Sequence, residues 1–248
     1  MNILVCISNV PDTTSKINFI SDNTEFDSNG VQFVINPNDE FGLTRAIWLQ
    51  QKQGAKVTVA TVGDTSCEAI LRKCLAIGAD KAVRIDASPQ DGFAVAKELE
   101  ALCKRENFDL IITGRESIDY NGGMVGAMLG TLLEYSFLTN CIGMEIEGDQ
   151  VTLEREIDGG KEVTSATLPI VIGGQKGIVE ESDLIIPNMR GIMQARKKPL
   201  EVVASVSESN ATEIEHFEKP PAKGEVRLVD AEDIDTLIDL LQNEAKVL

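Results

Sequence analysis

The chain has 248 residues, enough to bury a substantial core in one large or two small domains. Its 40 acidic residues against 23 basic ones give a formal net charge of -17, which argues against the basic surface that recognition of a nucleic-acid backbone requires. The five cysteines, Cys6, Cys67, Cys74, Cys103 and Cys141, form no C-x-x-C pair and read as small buried hydrophobes, while the single histidine, His216, lies in a polar segment. A histidine-based metal site and a catalytic triad therefore lack their parts. The N-terminus shows no signal-peptide pattern, and no apolar run reaches the roughly 18 residues of a membrane span. The expectation is a soluble, cytoplasmic protein.

In chain order, NILVCIS (residues 2–8) is a continuous apolar run of the kind found in strands buried on both faces. A β-rich excursion follows, with KINFI and VQFVIN flanking SDNTEFDSNG. NDEFGLTRAIWLQQKQG predicts a helix with Phe41, Ala46 and Leu49 on one broad face, capped by Asn38 or Asp39 and ended by Gly54. The alternation continues through strand AKVTVATVG, helix TSCEAILRKCLAIG, strand KAVRID, helix DGFAVAKELEALCKREN and strand FDLIITG. Right-handed βαβ crossovers and an α/β, doubly wound, mostly parallel sheet follow from this spacing.

The next stretch, GRESIDYNGGMVGAMLGTLLEY (residues 114–135), predicts another helix, yet it carries Gly122, Gly123, Gly126 and Gly130. Glycine costs a helix interior about 1 kcal/mol relative to alanine. Two readings stay open: backbone access for a ligand at the first turn, Asn121 to Gly123, and close packing of the helix at Gly126 and Gly130. Beyond Tyr135 the turn signals EGDQ and DGGK predict a β-hairpin extension of two strands. Residues 175–190 read as a loop, with an amphipathic possibility in NMRGIMQARKKP. SESNATEIEHFEKPPAKGE reads as a polar linker, and DAEDIDTLIDLLQNEAKVL as an acidic-capped helix whose Leu/Ile stripe needs a partner to bury it. The expected organisation is an α/β domain over 1–199 and a C-terminal arm over 200–248.

Ligands of open parallel sheets bind at the carboxyl ends of strands where the strand order reverses. Four loops leave predicted strand ends, at residues 8–12, 36–40, 62–65 and 114–126. The last is the richest, because a glycine-bearing turn before a helix offers free N–H groups and a positive dipole end to a phosphate. Neither G-x-x-x-x-G-K-[ST] nor G-x-G-x-x-G occurs there. ARKKP (residues 195–199) is a basic cluster in an acidic chain, either a solvated turn or a dock for an acidic partner. No nucleophile has its base, and no carboxylate pair has a defensible spacing, so catalysis by the chain's own side chains is not expected.

VTLEREIDGGKEVTSATLP (residues 151–169), followed by PNMRGIMQARKKP (residues 187–199), resembles the signature region of electron transfer flavoprotein β subunits. The likeness extends upstream to LVCISNVPD, INPNDEFGLTRAI, AIGADKAVRI and GRESIDYNGGMVGAML, and covers nearly all of the chain up to Val203. The resemblance implies a heterodimer with a larger α subunit that holds most of a redox-active FAD, while this chain carries a structural AMP and a wall near the flavin. It implies an electron carrier of fatty acid oxidation rather than an enzyme, fed by acyl-CoA or related dehydrogenases and discharging to a quinone reductase, the electron transfer flavoprotein–quinone oxidoreductase.

Carried onto this sequence, the AMP site comprises Cys6, Ile7, Ser8, Asn36, Val62, Gly63, Asp64, Asp119, Asn121, Gly122, Gly123, Met124, Val125 and Gly126. Partner contacts fall on Arg155 and Glu156, on Gly177, Ile178, Val179 and Glu180 within a recognition loop at 175–191, and on Arg196, Lys197 and Lys198. The sequence departs from the family pattern at IDYNGGMVGAM, where Gly123, Met124 and Val125 replace an Asn, a Gln and a phosphate-facing Thr. Ser8 stands where a lysine is usual, Thr13 where some relatives place an aromatic, and EESDLII lacks the common NEPRY run. Two alternatives accompany this reading: a bifurcating relative with a second FAD in place of AMP and NADH as donor, and a stand-alone adenine-nucleotide protein of the stress type. The latter would have no use for the EREIDGG hairpin or the tail helix.

Overall fold

A computed structural model describes residues 1–206, 210–222 and 224–248 of the chain. Strand β1 (Asn2–Cys6) leads through β2 (Asn9–Pro11), β3 (Phe19–Ile20), β4 (Glu25–Phe26) and β5 (Phe33–Ile35) to helix α1 (Pro37–Gln53). The chain then alternates: β6 (Lys56–Val62), α2 (Glu68–Ile77), β7 (Lys81–Asp86), α3 (Gly92–Arg105), β8 (Leu110–Gly114) and α4 (Val125–Leu133). Strands β9 (Ser136–Glu147), β10 (Gln150–Ile157), β11 (Gly160–Thr167) and β12 (Ile170–Gly174) follow, then α5 (Met189–Ala195), β13 (Leu200–Ala204) and, in the arm, α6 (Ile234–Asp239).

These strands build one sheet of order β11-β10-β9-β12-β8-β1-β6-β7-β13, parallel from β9 through β13 and antiparallel at β10 and β11. Side chains alternate faces along a strand, and the runs that read as doubly buried divide accordingly. Ile3, Val5 and Ile7 enter the cluster with Leu43 and Ile47 of α1 and Leu71 and Leu75 of α2. Leu4 and Cys6 enter the opposite cluster with Leu99 and Leu102 of α3 and Leu129 of α4. Ile3 and Leu4 are fully buried, worth about 1.5–3 kcal/mol each. From β1 the chain builds outward through β6 and β7, then returns to the other side of β1 with β8. The order therefore reverses between β1 and β8, which puts a crevice at their carboxyl ends.

Several expectations are corrected. Residues 114–135 are not one helix: Ser117 and Gly122 exchange N–H···O=C bonds of 3.0 and 3.2 Å, closing a turn in which Asn121 takes a φ of +51°. Only Val125 onward is helical. The expected hairpin is a three-stranded meander, because Gly148 and Gly159, both at positive φ, reverse the chain twice. The run PIVIGG is no part of it, since β12 lies inside the sheet between β8 and β9. Strand β13 pairs with β7, so the sheet extends to Ala204. Met189–Ala195 is helical, within the amphipathic stretch NMRGIMQARKKP, but the terminal helix is shorter than expected, six residues followed by a wider turn over Leu240–Glu244. Part of the polar linker, Ser207 to Ser209 and Lys223, lies outside the described residues.

Candidate functional site

Helix α1 begins with Pro37, so its N-cap is Asn36 rather than Asn38 or Asp39. The Asn36 side chain makes no cap bond. Fully buried, it donates from Nδ2 to the Glu116 carbonyl (2.9 Å) and to Asp39 Oδ1 (3.1 Å), and accepts from Ile118 N–H (3.2 Å). Asn38 also donates to the Glu116 carbonyl, at 3.1 Å. Asp39, only 2% exposed, turns into the crevice instead of capping the helix. It accepts from Ser8 N–H at 2.7 Å and from Gly114 N–H at 2.8 Å, so the carboxyl ends of both β1 and β8 are tied to α1. Burial pushes its carboxyl up to about 7, against the lowering effect of these donors.

Around this floor lies a small cleft lined by Cys6, Ser8, Asp39, Thr113, Gly114, Glu116, Ser117, Gly122, Gly123, Val125 and Gly126. The glycines differ in what surrounds them. A Cβ on Gly122 would meet nothing within 4 Å, leaving the turn open to an approaching group. On Gly126 it would fall 2.7 Å from Thr113 Oγ1 and 2.8 Å from Phe137 Cε2, and on Gly130 it would fall 3.1 Å from Phe137 Cβ, so these two let α4 pack on the sheet. The N-cap of α4, Met124, makes no side-chain cap bond. The first N–H groups of a helix have no partner within it, so the first turn of α4 brings unclaimed amides and a positive dipole end to the cleft, the donor set of an anion site.

Of the residues expected at a nucleotide, Cys6, Ser8, Gly122, Gly123, Val125 and Gly126 line this cleft. Asn36 lies beneath it as scaffold, and Ile7 is buried in the core with its N–H on Ala60 O (2.8 Å). Asp119 is exposed on the far side of the turn, bonded to Ser117 Oγ and Tyr120 N–H. Asn121 is exposed, and Met124 packs back toward Gly92. Val62 ends β6, with Gly63 and Asp64 just beyond it, and none of the three lines the cleft. Their loop is fixed by buried Arg84, whose Nη1 donates to Gly63 O (3.0 Å) while Glu68 and Asp86 pair with its guanidinium. The Ser66 hydroxyl, and then the Ser66 N–H that donates to Asp64 at 2.8 Å, hold the Asp64 carboxyl below the usual range. Asp39, Thr113, Gly114, Glu116 and Ser117 also line the cleft and are not among the residues expected at the nucleotide, although all but Thr113 fall in the strand-end loops 36–40 and 114–126. For Asp39 the local signal was an acid just after Pro37, in a helix whose cap is already Asn36.

The residues expected at partners are scattered. Arg155 pairs with Glu162 across β10 and β11, and Glu156 accepts from Gln175 Nε2 at 2.6 Å. Ile178 and Val179 are 4% and 2% exposed, in this chain's own core, while Gly177 and Glu180 are exposed. Arg196 and Lys197 are exposed, but Lys198 belongs to neither reading of the basic cluster. Its Nζ donates to the carbonyls of Leu75 (3.0 Å), Gly78 (3.1 Å) and Ala79 (2.7 Å), completing the C-terminal end of α2. Near the end of the expected recognition loop, Ile186, Met189 and Met193 stand 85%, 74% and 67% exposed. The five cysteines are buried. Among the described residues no cluster of His, Cys, Asp or Glu could hold a metal, and no helix is long and apolar enough to cross a membrane.

The sequence model of the electron transfer flavoprotein domain matches residues 24–208. The chain belongs to the electron transfer flavoprotein family. It is 34% identical to the electron transfer flavoprotein subunit beta of Bacillus subtilis (strain 168) over 263 aligned residues, covering all of both chains. It is 33% identical to the subunit of the same name from Syntrophomonas wolfei, with 100% and 98% of the two chains covered, and 31% identical to that of Homo sapiens over 82% and 81%. The family name marks its β subunits as carriers of electrons that work with an α subunit and a flavin.

Proposed function

We propose that this chain is the β subunit of a heterodimeric, cytoplasmic electron transfer flavoprotein and that its cleft holds AMP as a structural nucleotide. The observation that carries the AMP assignment is the uncapped first turn of α4 beside the open Gly122, at the reversal of the strand order. The amides from Gly123 to Gly126 would hold the phosphate, and Cys6, Ser8 and the Val62–Asp64 loop would meet the adenosine. FAD, held mainly by the α subunit, supplies the electron chemistry when bound, and this chain supplies binding, orientation and docking. Arg155, Glu156, Gly177, Glu180, Arg196 and Lys197 are assigned to partner contacts, with Ile178 and Val179 fixing the shape of their loop from within. The exposed Ile186, Met189 and Met193 patch fits the docking of an acyl-CoA or related dehydrogenase. A quinone reductase takes the electrons onward.

The test is to purify the chain with its α subunit, denature the complex and quantify the released nucleotides. Equal amounts of FAD and AMP per heterodimer support the assignment. FAD in twofold amount without AMP would replace it with the bifurcating reading, and a colourless monomer with ATP would replace it with the stand-alone one.

A further inference from the structure

The walls of the cleft meet at one side chain. Asp39 takes Ser8 N–H on Oδ2 and Gly114 N–H and Asn36 Nδ2 on Oδ1, and Asn36 passes the restraint on to the Glu116 carbonyl and Ile118 N–H. The end of β1, the start of α1 and the loop after β8 are thereby fixed to one another. We propose that Asp39 is the positioning residue of the cleft: by occupying the Ser8 and Gly114 amides it sets the spacing of the loops and leaves the first turn of α4 as the donor set for an anion. This inference rests on the nucleotide reading above and deepens it.

Such a role makes ligand affinity follow the charge on Asp39. The titratable groups that face it are the thiols of Cys6 on β1 and Cys74 on α2, with Glu116 on the same cleft wall. Burial raises both thiols, so they stay neutral. No lysine or arginine donates to Asp39 among the described residues, and burial lifts its carboxyl to about 7. Protonation removes the charge that strengthens these bonds and turns one acceptor site into an O–H donor that opposes the N–H it faces. Either Ser8 or the Gly114 and Asn36 pair then loses its anchor. Above neutrality the loops are held, and below it they loosen.

Adenosine is the probe, because it has no group that titrates near neutrality and so reports the loops without the charge of a phosphate. It is titrated calorimetrically into the nucleotide-free heterodimer. The expected result is binding about five-fold weaker at about pH 5.5 than at about pH 8.5, the effect of losing roughly one hydrogen bond. Asp39→Asn should bind more weakly than wild type at the higher pH and show no pH dependence, since a side-chain amide opposes the Ser8 N–H at every pH. A flat wild-type profile, or a wild-type profile retained in Asp39→Asn, overturns the inference while leaving AMP binding intact. If the variant does not fold, the wild-type profile decides alone. Failure of both AMP and adenosine to bind at any pH would overturn the nucleotide reading, and the inference with it.

Discussion

Around the cleft, Asn36, Asp39 and Arg84 are at most 4% exposed and direct their polar atoms to the backbone of neighbouring loops. In the arm, Ile234, Leu237 and Ile238 stand 61%, 45% and 40% exposed on a helix of six residues. The first region is completed by this chain itself, with strand ends and a helix start locked by buried hydrogen bonds. The second has an apolar stripe that nothing among the described residues covers, and a helix this short is not stable on propensity alone. The proposed ligand site is thus preorganised, whereas the segment proposed to dock on a protein surface would be ordered by it.

The largest effect expected within the first region concerns Asp39. Burial lifts its folded carboxyl to about 7 from the ordinary 3.8, so the folded state holds a proton that the unfolded state has already released. Stability should therefore fall as pH rises from about 4 to about 7 and level off above, by as much as about 4 kcal/mol. Denaturant melts across this window should show the slope in wild type and lose it in Asp39→Asn. A pH-independent wild type would mean that the cleft floor is wetter than the geometry implies.

A second comparison lies within the glycines. Gly126→Val forces a branched side chain against Thr113 and Phe137, at a cost of about 3 kcal/mol, or about 6–12 °C in Tm. Gly122→Ala enters open space and should change stability by less than about 0.5 kcal/mol, while crowding an approaching phosphate. Equal thermal shifts in the two variants would show that the packing and access roles have been wrongly divided.

Lys198→Met should cost about 1–2 kcal/mol, because the last carbonyls of α2 lose their donor. It should leave pull-down of the α subunit unchanged, which would separate Lys198 from the exposed Arg196 and Lys197. Deleting residues 230–248 should move the melting of the sheet domain by less than about 0.5 kcal/mol, since the arm's stripe is not buried there. The same truncation should strongly weaken association with the α subunit. Undiminished pull-down would contradict the contrast between the two regions.

The elements with the clearest sequence signatures are those whose residues answer to local rules. NILVCIS and DLIIT are strands because continuous apolar runs suit a sheet covered on both faces, and Gly54 ends α1 in the left-handed conformation that its place after the last apolar turn predicts. DGGK signals the second turn of the meander, but turn signals alone do not tell a two-stranded hairpin from three strands. What could not be read locally depends on distant partners. Asp39 looks like an ordinary acid in a first helical turn, and its role comes from Ser8 and Gly114, 31 and 75 residues away. Lys198 looks like one of three exposed cations until α2 is placed beneath it. The glycine loop was legible as backbone access, but its floor was not, because the floor is made of another segment.

We propose that the phosphate of the bound nucleotide sits on the first turn of α4 in the β1–β8 crevice. Titration of the nucleotide-free heterodimer with AMP and with adenosine at one pH tests it most directly. Charge-assisted bonds to the α4 amides should make AMP bind at least about ten-fold more tightly than adenosine. Equal affinities for the two would place the phosphate in solvent and contradict the account.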